Sequence, residues 1–293
     1  MRSTEIARKS SSIEPVLETL ADKMNSPSLV IRRSTFTTLF VTICIVALAS
    51  GCMPVDRYRS SAKVLFPNKR VLALVQAAEA GDAPTIKRLV AEGVDVNSSG
   101  RAGVTPLFRA VVASNKVGFE TLLELGADPN QRDNWGDAAI HTCAEMNDGW
   151  WVEKAIQYGA DPNRTNKGHP YYPGETPIFY SCRIEAAKAA KALIDAGADV
   201  DHRDKIGATP LEIASEYAEY DIAYMLLKAG ANFRNVRENG VDYVGWFYRN
   251  RPIDAAPDEQ KPWLKKVMDF LSDHGMDLGD TSPVAERRKA KSP

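Results

Sequence analysis

Histidine, cysteine and carboxylate side chains are the groups best able to ligate a metal, attack a substrate or move a proton. This chain holds 4 His and 4 Cys among its 293 residues. His169, His202 and His274 lie far apart, with none of the short spacings to cysteine or carboxylate that a metal site needs. The chain has neither a glycine-rich phosphate loop nor a nucleophile elbow. Asp95, Asp128, Asp161 and Asp199 form a series of acid–base candidates, yet each sits two residues beyond a glycine and recurs at steps of 33, 33 and 38 residues. A carboxylate that repeats together with a turn is turn chemistry. The reading is therefore of no catalytic group, no metal and no cofactor.

The elements that carry these turns are periodic. Gly93, Gly126, Gly159, Gly197, Gly230 and Gly275 each close a helix-like apolar segment, at steps of 33, 33, 38, 33 and 45 residues. Such a period describes a stack of small units, none able to bury its apolar face alone. Thr-Pro occurs at Thr105-Pro106, Thr176-Pro177 and Thr209-Pro210, and in all three the closing glycine follows 21 residues after the threonine. The threonine is suited to cap an unpaired N–H, and proline in the first turn gives up a donor that had no partner. Leu122-Leu123 and Leu226-Leu227 place apolar atoms on one face of a second helix. The glycine accepts the left-handed conformation that ends that helix.

This grammar resembles the ankyrin repeat. The resemblance implies an all-α ankyrin-repeat solenoid of about six helix–turn–helix units with β-hairpin fingers, over residues 69–278. The third unit departs from it, with Ala138-Ala139 in place of Thr-Pro, but keeps Ile140 and His141 where the family has Leu-His. There the histidine serves loop hydrogen bonding. The first unit, with Leu72-Ala73-Leu74, and the sixth, interrupted by Arg251–Pro257, read as end caps. Cys143 and Cys182 fall at small-residue positions of the first helices in adjacent units. Neighbouring helices pack about 8–10 Å apart, beyond the roughly 7 Å of a disulfide, so both read as buried thiols. Trp151 reads as core and Trp150 as outward-facing, and the Trp246-Phe247-Tyr248 cluster as a seal for the sixth unit.

In the family, partners touch the finger tips and the exposed end of each first helix. Carried over, those positions are Arg132, Trp135, Asp137, Glu145 and Met146 in unit three. In unit four they are Tyr172, Glu175, Arg183 and Ile184, with Tyr171 on a finger lengthened by a five-residue insertion. In unit five they are Arg203, Lys205, Ile206, Glu216 and Tyr217. Trp, Tyr and Arg are the side chains that most often anchor protein interfaces.

The N-terminal region carries a different signal. Residues 34–50 hold no charge, follow Arg32-Arg33, and end in Leu48-Ala49-Ser50-Gly51-Cys52. A basic stretch, an apolar core and small residues before a cleavage point define a secretory signal over residues 1–51. Cysteine directly after Ala-Ser-Gly resembles the bacterial lipobox, which implies lipidation at Cys52. An uncleaved membrane anchor and an ordinary signal stand beside that reading. Glu5, Glu14, Glu18 and Asp22 fit no signal, so Met24 is the expected true start. Met53 after the cysteine implies outer-membrane sorting, with the repeats facing the periplasm. Residues 52–68 then form a lipidated tether, and residues 279–293 a disordered basic tail.

A formal net charge of −1 gives no electrostatic argument for nucleic acid. No small-molecule substrate is implied, and the expected partner is a protein. Ankyrin-repeat lipoproteins with a lipobox occur beside secreted phospholipase effectors of type VI secretion systems. That resemblance implies an immunity protein, whose partner is a secreted phospholipase-type toxin. The alternative is an envelope adaptor or scaffold for a housekeeping protein.

Overall fold

The computed structural model describes residues 61–169, 171–236, 242–250, 253 and 256–278. The signal region, Cys52, most of the tether, the basic tail and the Trp246 side chain lie outside the described residues.

Each glycine-closed segment becomes a helix pair. In chain order the helices are α1 (Ala62–Leu65), α2 (Lys69–Ala80), α3 (Ala83–Ala91), α4 (Pro106–Val112), α5 (Lys116–Glu124), α6 (Ala139–Ala144) and α7 (Trp150–Gln157). They continue with α8 (Pro177–Ser181), α9 (Ala187–Asp195), α10 (Pro210–Tyr217), α11 (Tyr220–Lys228), α12 (Tyr243–Arg249) and α13 (Lys261–Asp273). Three helices open on the prolines of the Thr-Pro pairs, and the Ala138-Ala139 unit opens at the equivalent place. Thr105 and Thr209 accept the N–H groups of Phe108 and Glu212, at 3.2 and 3.4 Å. Thr176 makes no such cap, contrary to the reading above.

First helices stack on first helices, α2 through α4, α6, α8 and α10 to α12, and second helices likewise from α3 to α13. One apolar core runs through the whole stack, from Leu74 to Leu278. It includes both leucine pairs, Trp151, Phe247 and Tyr248, and the free thiols of Cys143 and Cys182. Trp150 is half-buried beneath the Lys116 ammonium, 4.8 Å from its ring. Part of the expected tether is folded. Leu65 and Phe66, at the end of α1, pack with Val75, Val104 and Phe108 into a satellite cluster over the first two units.

Side chains of the repeat turns lock unit to unit. Asn97 donates to the Gly126 carbonyl at 3.1 Å and accepts the Asp128 N–H at 2.8 Å. Asn130 and Asn163 repeat this toward the next units. Asp201 keeps only the accepting half, taking the Asn232 N–H at 2.7 Å.

Gly118 shows how closely α5 sits on the first unit, because a methyl group there would overlap the carbonyl of Ala78. Helix propensity alone favours alanine in a helix by about 1 kcal/mol. Gly118→Ala should nevertheless destabilise the protein by about 1–3 kcal/mol, the usual range for overpacking. Denaturant unfolding reads the sign directly, and a stabilised variant would refute the close approach.

Candidate protein interface

The fingers are hairpin-like turns closed by backbone bonds across their bases. Asp133 N–H reaches the Asp137 carbonyl at 2.8 Å, and Asp204 N–H the Ala208 carbonyl at 3.0 Å. In both, the opening aspartate also accepts N–H groups across its own turn, from Trp135 and Asp137 in one and from Ile206 and Ala208 in the other. Among the described residues the only strand-like pairing is an isolated bridge between Val236 and Asp242.

The lengthened finger is built around Asn166. Its N–H meets the Glu175 carbonyl at 2.8 Å, and its side-chain oxygen accepts from Gly174 and Glu175. Its amide donates to the Tyr172 carbonyl and the Tyr180 hydroxyl, at 2.8 and 2.9 Å. The Tyr180 hydroxyl in turn donates to Asp137 at 2.6 Å. Nδ1 of His169 accepts the N–H of Tyr172 at 3.0 Å, with Tyr171 left exposed and Tyr172 half-buried against the imidazole. Asn166 follows Asp133 by 33 residues and precedes Asp204 by 38, so the repeat period marks it as the equivalent turn residue. Sequence reasoning passed over it.

A ladder of rings and one cation crosses units three to five. Trp135 meets the His169 ring edge-on at 5.6 Å, and His169 stacks on Tyr172 at 5.3 Å. The Arg183 guanidinium lies 4.1 Å over the Tyr172 ring and 5.8 Å from that of Tyr217. Both its terminal nitrogens bind Glu175, which is 1% exposed. Burial raises the Glu175 carboxyl above its ordinary range, and Arg183 opposes that shift. Burial also raises the Tyr172 phenol.

Around this ladder, four large side chains stand in solvent. Tyr171 is 57% exposed, Ile184 46%, Ile206 70% and Tyr217 44%. Arg203, Lys205 and Glu216 are exposed beside them, and Glu145 is half-buried. Arg203 donates to Asn235 at 2.9 Å.

Other expected contact residues are occupied inside the molecule. Asp137 and Glu175 are buried, because one holds Tyr180 and the other Arg183. Arg132 is a staple between fingers, donating to the carbonyls of Thr165 and Gly136 at 2.5 and 3.3 Å. Trp135 is half-buried against the neighbouring finger, and Met146 packs on the core.

The histidines likewise have structural surroundings. His141 is buried and accepts the Ala138 N–H at 3.0 Å, with burial lowering the imidazole below its ordinary range. His202 bonds the Gly174 carbonyl at 2.8 Å, and His274 stacks on Phe270 at 4.0 Å. Among the described residues no group of three or more His, Cys, Asp or Glu side chains could hold a metal ion.

Paired helices stacked on a common core, with turns that project beside them, define a helical repeat protein. The family model for ankyrin repeats matches residues 58–133 and 140–236, more than half of the chain. The chain belongs to the ankyrin-repeat family. It is 31% identical over 150 residues to the mitochondrial disaggregase of Bos taurus, covering 51% of this chain and 22% of that one. It is 30% identical over 164 residues to neurogenic locus notch homolog protein 1 of Homo sapiens, covering 55% and 6%. To SH3 and multiple ankyrin repeat domains protein 2 of Homo sapiens it is 30% identical over 161 residues, covering 54% and 8%. The chain thus spans less than a quarter of each of these proteins. Ankyrin repeats generally mediate binding between proteins.

Proposed function

We propose that this chain is a lipid-anchored protein, tethered through Cys52 to the outer membrane and facing the periplasm, that binds a partner protein through units three to five. The observation that carries the binding face is the Arg183 platform. A cation fixed by Glu175 between Tyr172 and the exposed Tyr217 stands beside the exposed Tyr171, Ile184 and Ile206. Side chains already held by packing lose little entropy on binding, and aromatic and arginine anchors are the usual hot spots. Within this reading the partner is a secreted toxin that acts in the periplasm, and the rigid face neutralises it by covering its active site. The lipobox-like segment and the resemblance to ankyrin lipoproteins encoded beside phospholipase effectors support that role.

The test is affinity capture with the full chain in detergent, from cultures that include secreted proteins, with Tyr171→Ala/Ile206→Ala as control. A toxin-like protein retained by the parent and lost by the control is the expected result. Deletion of the gene should then kill cells grown beside toxin-bearing kin. Retention of an envelope housekeeping protein, with no such killing, would replace the immunity role by an adaptor role.

A further inference from the structure

The second helices form the side of the stack away from the fingers, and over most of it their charges are paired. Lys87 binds Glu124 from α3 to α5, Lys154 binds Glu120 from α7 to α5, and Lys116 binds Asp148 before α7. Between α9, α11 and α13 no ion pair among the described residues crosses from helix to helix, and the pairs there are local ones such as Lys265–Asp269. A groove of about 440 Å³ opens there, with Ile194 and Met225 along its floor. Half-buried Tyr224 and Trp263 line it, and Lys191, Lys228 and Lys266 rim it. Asp195 is the one carboxylate lining it, and it is held by Lys191 at 2.7 Å. Lys228 and Lys266 form no ion pair among the described residues. The Lys266 ammonium lies 3.9 Å over the Trp263 ring and 5.8 Å from that of Tyr224.

An apolar floor with aromatic rings and unneutralised ammonium groups at its rim matches the boundary of an anionic bilayer. There Trp and Tyr sit at headgroup level and lysines are drawn to the surface charge. An acidic peptide fits less well. Helices form all three walls, and their main-chain groups are paired internally, so an extended strand would find no backbone partner. We propose that this groove docks the outer helices of units four to six on the headgroups of an anionic phospholipid bilayer. The docking is separate from the finger face and from any lipid at Cys52.

The test uses the full chain on vesicles whose acyl chains carry bromine, which quenches tryptophan at the membrane boundary. Phosphatidylcholine vesicles are compared with vesicles containing about one-third phosphatidylglycerol, and the Trp263 share is obtained by difference from Trp263→Phe. Quenching of Trp263 should appear on the anionic vesicles alone. Lys228→Glu/Lys266→Glu should abolish it, since each lysine near such a surface contributes roughly fivefold to residence there. These lysines are exposed, so an unchanged melting midpoint confirms that the variant is folded. Equal quenching on both vesicle types, or quenching that survives the double reversal, would overturn the proposal. So would the absence of quenching on anionic vesicles together with a Trp263 response to polyglutamate, which would make the partner an acidic polypeptide.

Discussion

Arg183→Met should lower the stability of the protein by about 3–5 kcal/mol at neutral pH, the usual cost of removing one partner of a buried ion pair. Glu175 is the reason. It is 1% exposed and faces the guanidinium through both oxygens. Without that cation the carboxylate has lost its only charged partner in the finger and cannot reach water. The penalty belongs to the charged form, so it should shrink as the solution is acidified and Glu175 takes up a proton. The double variant Arg183→Met/Glu175→Leu should recover much of the loss, because the buried charge is then gone. Urea unfolding of the three proteins at pH 7 and pH 5 measures all of this. A loss below about 1 kcal/mol at pH 7 would mean that the pair behaves like a surface salt bridge and does not hold the platform.

Glu219→Gln should have the opposite sign. Glu219 is buried in the turn between α10 and α11, with Asp221 and Glu185 nearby, and one of its oxygens has no hydrogen-bond partner. Burial first, and then those two carboxylates, push its pKa up to about 7 from 4.5. A carboxyl whose pKa is raised on folding binds its proton more tightly in the native state. Stability is therefore lost as pH rises from about 4.5 to about 7, and little more is lost above that. At about 1.4 kcal/mol per pH unit, the full window is worth on the order of 3 kcal/mol, an upper bound. Glutamine keeps the acceptor for the Glu185 N–H and places a donor beside two carboxylates. The variant should match the parent near pH 4.5 and exceed it by up to about 3 kcal/mol at pH 8. Equal pH slopes for the two proteins would show that Glu219 does not titrate in this window.

The contrast between these sites and the rest of the chain shows what a sequence makes visible. Helix starts at Pro106, Pro177 and Pro210, and the turns at Gly126, Gly197 and Gly230, are set by residues a few positions apart, and local chemistry determines them. Periodicity also carried the third unit through the loss of its Thr-Pro pair, because apolar burial across the stack decides there. The partners at the candidate face are not local. Asp137 serves Tyr180, 43 residues away, and Arg203 reaches Asn235 across 32 residues, where neither sequence neighbourhood shows a reason. Position on a finger implied exposure for Asp137 and Glu175, but both stand where a finger joins its first helix, a place equally buried at Val104 and Ala208. The five extra residues lengthen the loop that Asn166 must close, and that closure brings His169 and Tyr172 onto the face.

Site-specific photocrosslinking in living cells of the native host shows whether the finger face holds a partner protein. A photoreactive residue at Ile206 or Tyr217 samples the finger face. The same residue at Lys87, on the outer helix α3, serves as a reference. One discrete crosslinked protein of constant mass is expected from positions 206 and 217, and none of that mass from position 87. Crosslinks of equal yield from all three positions, or a discrete product from position 87 alone, would contradict partner binding at the finger face.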